Sequence, residues 1–252
     1  MSVFTILPVV SNNANLPLID PSDIEFLDGY ERTATHDWVF GLSEERSLVS
    51  ADPSKSVLTK QNIIDDVKLN YVTLGGFGNA LLSNVADSNS AVDSFALVIR
   101  IREITGINIL GGTLGNAPIN GGGGIIINSA GILQLNYRNF NFNGTTSPSL
   151  PGSLIEPNKW YFVGVSRNLS TGAKSFNLFC GGQGFINLIP TNGTYVSAGQ
   201  IAVGNPNYST VTGDDVDFAE AMFFDSMLNE NKFETVYNLC KSRLKNRGII
   251  LE

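Results

Sequence analysis

Cysteine and histidine are nearly missing from this chain of 252 residues. It has two cysteines, Cys180 and Cys240, and one histidine, His36. A lone cysteine pair is no disulfide framework, and both read as small buried hydrophobes. Any Ser-His-Asp triad or histidine-bound zinc would have to use His36. No HExxH, GxSxG or Cys-x-x-Cys pattern accompanies it. It therefore reads as a polar loop residue ahead of the first strand.

Positive charge is also scarce. Sixteen Lys and Arg face 23 Asp and Glu, a net charge of −7 and a pI near 4.7. A phosphate backbone demands a basic patch, so nucleic acid is excluded as a general partner, and anionic membranes are disfavoured for the same reason. The one basic cluster is Lys241, Arg243, Lys245 and Arg247. It falls at the end of a helical pattern, where cations complement the helix dipole. No stretch approaches the ~20 apolar residues of a membrane span. The first ten residues, MSVFTILPVV, have no basic start and are interrupted by Pro8, so no secretion signal is expected. The four Asn-x-Ser/Thr sequons, at Asn143, Asn168, Asn192 and Asn207, then read as a by-product of composition.

What is present is a folded core, with 42% hydrophobic and 15% charged residues. Pro8, Pro17 and Pro21 break up residues 1–35, which read as an extended arm able to pack on a neighbouring subunit. WVFGL, from Trp38, could form a first strand, and strand-like pieces follow to Gly76. From residue 92 the alternation is clean. Phe95, Leu97, Ile99 and Ile101 share one face, and Ala96, Val98, Arg100 and Arg102 the other. Leu133, Leu135 and Tyr137 oppose Ile132, Gln134, Asn136 and Arg138, after a turn at Ser129-Ala130-Gly131. Gly121 to Gly124 read as a flexible turn, since no Gly-Lys-Ser/Thr follows. One helix is expected from an N-cap at Asn229. Its apolar face is Phe233, Val236, Tyr237, Cys240 and Leu244, and Gly248 closes it.

Residues 158–240 carry a family pattern. Trp160-Tyr161-Phe162-Val163, Gly181-Gly182, Ile201-Ala202-Val203-Gly204, Phe218-Ala219-Glu220-Ala221 and Leu228 to Tyr237 occur in that order. This series resembles the second half of a laminin-G-like (LamG) domain of the concanavalin A-like jelly-roll superfamily. The resemblance implies an all-β sandwich of two antiparallel sheets with one C-terminal α-helix over 36–252, led by the arm. It also implies that Trp160 and Tyr161 are packed. Leu228 to Tyr237 with Leu244-Lys245-Asn246-Arg247-Gly248-Ile249 is similar to LamG-like modules of bacteriophage tail proteins. That likeness implies a virion tail (tail fibre or receptor-binding) protein made in the host cytoplasm. Its partners would be a bacterial cell-surface glycan and its own copies, as a homotrimer.

Two further patterns bear on chemistry. Asp215-Val216-Asp217-Phe218-Ala219-Glu220 resembles the Glu-x-Asp-x-x-Glu motif of laminarinase-like glycoside hydrolases. Asp215 and Asp217 face one way on a strand, and Glu220 faces the other way unless a bulge resets the alternation. Asp215 stands where the nucleophile Glu would be, which widens the gap between carboxylates. No residue is therefore assigned a catalytic role. A calcium cage from Asp214, Asp215 and Asp217 with Asn205 or Asn207 is conceivable without EF-hand spacing, and no metal or other cofactor is assigned. For sugar contact, Tyr137, Arg138, Asn139, Phe140, Asn141 and Phe142 alternate rings with polar groups, and Tyr208 lies in the loop NPNYST. Rings stack on pyranose faces, and amides bond hydroxyls. The leading expectation is a non-catalytic carbohydrate-binding, host-recognition lectin. The alternatives are a glycan-degrading enzyme using Asp215 to Glu220, and a purely structural virion protein.

Overall fold

A computed structural model describes residues 34–51, 55, 57–115, 120–170, 172–208, 211 and 213–252. The expected arm over 1–35 lies outside the described residues except for Ala34 and Thr35.

Ahead of residue 92 come β1 (His36–Val39), a short α1 (Glu44–Leu48), β2 (Thr59–Gln61), β3 (Asp66–Val67), β4 (Val72–Gly75) and β5 (Ala80–Ala86). Next come β6 (Val92–Ile101), β7 (Asn108–Gly112), β8 (Gly123–Ile127), β9 (Leu133–Tyr137), β10 (Phe140–Asn141), β11 (Trp160–Asn168) and β12 (Ser175–Cys180). Last are β13 (Gly184–Leu188), β14 (Asn192–Gly193), β15 (Gln200–Gly204), β16 (Asp215–Phe224) and α2 (Glu230–Asn246). They form an all-β sandwich. One sheet has eight strands in the order β13-β12-β11-β6-β16-β4-β3, with β1 beside β16 past the end of β4. The other has six, in the order β2-β5-β15-β7-β8-β9, and β10 pairs with β14 apart from both. All the pairings between named strands are antiparallel.

The period-two pattern of β6 explains the layering. Phe95, Leu97, Ile99 and Ile101 point between the sheets, where they meet Leu81, Leu110, Ile125, Leu135 and Val203. Ala96 and Val98 point to the other side, with Phe162, Phe179, Met222 and Phe224. That side is closed by α2 through Phe233, Val236, Tyr237, Cys240 and Leu244, all buried. The Phe, Val and Leu side chains among them each gain ~1.5–3 kcal/mol by leaving water. The Asn229 side chain accepts from Lys232 N at 3.1 Å and so caps the helix. Gly248, with φ +74°, follows its last turn. Two glycines, Gly164 of β11 and Gly181 in the turn after β12, let the helix come close. A Cβ on Gly164 would stand 2.4 Å from the Phe233 ring, and one on Gly181 would stand 2.4 Å from the Tyr237 ring.

The Gly121 to Gly124 run differs from the flexible turn expected of it. Gly123 and Gly124 open β8, and the whole run is buried. A Cβ would stand 2.0 Å from Thr113 O at Gly122, 2.3 Å from the Tyr137 ring at Gly123 and 2.2 Å from Gly111 O at Gly124. Glycine is needed here for close packing, not for motion. His36 likewise is not in a loop. It opens β1, with its ring stacked 5.2 Å from that of Trp38.

Candidate functional site

The carboxylates of β16 come first, because the bulge that would align them is present. The register against β6 shifts between Phe218 and Glu220, so that Asp217 lies opposite Arg100 and Glu220 opposite Val98. Ala219 is the extra residue, and Asp217 and Glu220 therefore share the outer face of the eight-stranded sheet. Neither is free to act on a substrate. Asp217 has no exposed surface. It accepts from Arg100 Nη2 at 2.7 Å, from Arg102 Nη2 at 2.9 Å and from the Thr73 hydroxyl at 2.7 Å. Arg100 is itself clamped between the rings of Tyr71 and Trp160, 4.9 and 4.8 Å from their centres. Glu220, also fully buried, accepts from Arg243 Nη2 at 2.6 Å and Nε at 3.1 Å, and pairs with Arg247 Nη1 at 3.5 Å. This corrects the reading of the basic cluster. Arg243 and Arg247 do more than complement the dipole of α2, because they strap the helix to a buried carboxylate of the sheet.

The acidic trio considered for calcium does not converge. Asp217 is held as just described, and Asp215 is exposed beside Gly75. Burial works to raise the pKa of Asp214, but hydrogen bonds from Thr105 and Asn108 outweigh it and leave the carboxyl below its usual range. No cluster of three or more His, Cys, Asp or Glu able to hold a metal occurs among the described residues. Cys180 packs between the sheets and Cys240 under the helix, both buried. Burial pushes the Cys180 thiol up to about 12.

The residues picked for sugar contact divide in two. Tyr137, Phe140 and Phe142 are 1–2% exposed and pack on Phe176 in the inter-sheet core. Their ring faces are not available for stacking on a sugar, because the alternation that exposes their neighbours turns these rings inward. Arg138 and Asn139 are half-buried and Asn141 is exposed. Tyr208 is half-buried against Ile109, Leu114 and Ile126 on the outer face of the six-stranded sheet. The Arg138 guanidinium lies 4.8 Å over its ring. Trp160 and Tyr161 are packed, as the family resemblance implied.

The same outer face carries a feature that sequence reasoning missed. A groove of about 350 Å³ is lined by Gln61 of β2, Leu82, Asn84 and Ala86 of β5, Gly199 and Gln200 at β15, and Asn207 of the following loop. Register puts Leu82 opposite Ala202 and Ala86 opposite Gln200, on the side away from the core residues Leu81 and Val203. The wall is well fixed. Gln61 donates to Pro206 O at 2.7 Å, and buried Asn205 bonds both Tyr208 N and Tyr208 O, at 3.0 and 3.3 Å. One end is anchored by a buried ion network. Asp87, which follows Ala86, donates its N–H to Gly199 O at 3.0 Å. Its carboxylate binds Arg167 Nη1 and the Tyr195 hydroxyl at 2.8 Å each, and Arg167 makes two bonds to Asp93 at 2.7 and 2.8 Å. The sequence signal was available. Residues 104–137 and 175–213 contain no charged side chain, so β7, β8, β9 and β15 present only neutral groups to solvent.

No family model matches the chain, and no curated protein matches it. Solved structures do. The binding domain of botulinum neurotoxin serotype D aligns at 14% identity with a TM-score of 0.59, over 82% of this chain and 52% of that one. The serotype G binding domain aligns at 14% identity and 0.56, over 83% and 51%. A Trypanosoma rangeli sialidase in complex with sialic acid aligns at 14% and 0.53, over 80% and 32%. The chain thus spans about half the length of the neurotoxin domains and a third of the sialidase. At this identity the likeness shows the fold alone, that of an all-β sandwich.

Proposed function

We propose that the chain is a carbohydrate-binding module without hydrolytic activity, with its site on the outer face of the six-stranded sheet. The observation that carries this reading is the groove itself. It is concave, walled by hydrogen-bonded backbone, and presents four amide side chains around a small apolar floor. Amides suit sugar hydroxyls because each offers both a donor and an acceptor. The acidic motif that would speak for hydrolysis is ion-paired on the opposite sheet, under and beside α2. Neighbours whose names include a neurotoxin binding domain and a sialidase with sialic acid favour recognition of a surface glycan. The likeness of the C-terminal helix and its basic tail to phage tail modules extends the reading to a homotrimeric receptor-binding protein of a virion tail that engages a bacterial cell-surface glycan.

A glycan array probed with the full chain and with an Asn84→Ala, Gln200→Ala double variant tests the site. Specific retention that the double variant loses supports it. Retention that the variant keeps moves the site elsewhere, and no retention at all favours a purely structural virion role. New reducing ends released from a retained polysaccharide would reinstate the enzyme reading. Light scattering at micromolar concentration tests the trimer, and a monomer removes that part alone.

A further inference from the structure

Among the described residues no charged side chain lines the groove, and this bears on the kind of sugar it takes. Among the described lining residues, Gln61, Asn84, Gln200 and Asn207 are neutral amides, and Leu82, Ala86 and Gly199 are apolar. The nearby charged groups are turned away or already neutralised. Lys60 lies opposite Leu81, a core-facing residue, and its ammonium is bound to Glu44 at 2.6 Å. Asp87 points inward to Arg167 and Tyr195. Arg138 lies over Tyr208, which packs on Ile109 and Ile126 of β7 and β8, whereas the groove lies over β2, β5 and β15.

We infer, resting on the reading above, that the groove selects a short uncharged stretch of an oligosaccharide and rejects acidic sugars. A hydroxyl donates and accepts, so it can use both ends of each amide. A carboxylate or sulfate only accepts. Leaving water without a counter-charge, it pays a desolvation cost that neutral amides offset poorly. The net charge of −7 adds long-range repulsion. The apolar floor of Leu82 and Ala86 suits the C–H face of a ring. The volume is near the lower end of ligand pockets, ~300–1,000 Å³, which fits a short stretch of a chain. No aromatic ring among the described residues lines the groove, so a single site binds weakly, and firm attachment needs several sites on one assembly.

The test uses the full chain and two sets of probes, observed by saturation-transfer NMR at low and high salt. The neutral set is gluco-, manno- and galacto-oligosaccharides. The acidic set is sialic acid, oligogalacturonate and a chondroitin sulfate fragment. The expected result is weak, salt-independent binding of a neutral probe, reduced about tenfold or more by Asn84→Ala with Gln200→Ala, which removes two hydrogen bonds of ~0.5–1.5 kcal/mol each. A Gln200→Arg variant is expected to gain binding to an acidic probe by supplying the missing counter-charge. Unchanged unfolding midpoints confirm that these surface changes leave the fold intact. Wild-type preference for an acidic probe, lost in the double variant, overturns the neutral-sugar inference and leaves the glycan reading standing. Neutral binding that the double variant keeps, or acidic binding lost only on Arg138→Ala, also overturns it. Failure to hold any probe of either set removes the glycan reading and the inference together.

Discussion

Where α2 lies on it, the outer face of the eight-stranded sheet is built from Ala96, Val98, Phe162, Phe179, Met222 and Phe224, all buried. The corresponding face of the six-stranded sheet has a small cluster, Ile109, Leu114 and Ile126 under Tyr208, and beyond it the amides of Asn84, Gln200 and Asn207. An apolar face must be covered, and a helix with an apolar stripe covers it. A face of amides and small residues satisfies itself with water and can stay open. The ionisable groups follow the same division. On the covered face Asp217 and Glu220 are locked by guanidinium groups, whereas no charged residue among those described lines the groove. A glycosidase-like acidic motif on the covered face is therefore part of the packing, and the proposed recognition site lies on the uncharged face.

The sharpest test of the covered face is Phe233→Ala. Phe233 has no exposed surface and stacks on Phe179 at 5.2 Å with the rings 5° from parallel. Loss of transfer energy plus the cavity is expected to cost about 3–5 kcal/mol, read from the urea midpoint at constant m-value. A cost well under ~1 kcal/mol would mean that the helix is not docked as described, and the contrast between the faces would collapse.

Next in size is Glu220→Gln. It leaves Arg243 and Arg247 facing a neutral amide beneath the helix. Removing one partner of a buried pair costs about 3–5 kcal/mol. About a fifth of each guanidinium side chain is exposed, 21% and 18%, so the lower part of that range is expected. Glycan binding should be unchanged. Loss of binding with no loss of stability would move function onto the covered face. At the groove the effects should be reversed. Asn84→Ala is expected to shift stability by less than ~0.5 kcal/mol, as exposed positions do, while weakening sugar binding.

The covered face was legible because periodicity reports burial. The β6 alternation, the stripe of α2 with its Asn229 cap, and the buried Trp160 and Tyr161 all followed from spacing or from the family pattern. Even the bulge at Ala219 was foreseeable as the condition for aligning Asp217 with Glu220. Partners were not legible, since Arg100 and Arg243 reach β16 only once the sheet and helix are assembled. The groove was harder still. An alternating strand shows which residues point out, but not which outward residues lie side by side across β2, β5 and β15. Tyr137, Phe140 and Phe142 misled for a related reason. Aromatic rings spaced among amides look like a sugar platform, yet in an alternating segment they are the inward half. The glycines at 121 to 124 suggested freedom, whereas packing had removed every side chain.

The smallest expected effect comes from the rim, and it concerns pH. His36, the single histidine, is half-buried beside Trp38 on a strand paired to β16. Its Nδ1 is buried with no hydrogen-bond partner among the described residues. Burial, helped by Lys55 and opposed by Asp225, lowers its pKa below the ordinary 6.5. The folded protein thus holds this proton less tightly than the unfolded chain does. Above the unfolded value both states are neutral, and the fold pays nothing. As pH falls below about 6.5 the unfolded chain takes up the proton first, so this residue's contribution turns unfavourable, until the folded pKa is also passed and the penalty levels off. Stability should therefore fall on acidification through this window, and a His36→Gln variant should fall less. With one imidazole in the chain, its NMR resonance gives the folded pKa directly. A value equal to the unfolded one would remove the effect and show that β1 leaves the ring solvated at the rim, and a higher one would reverse the sign.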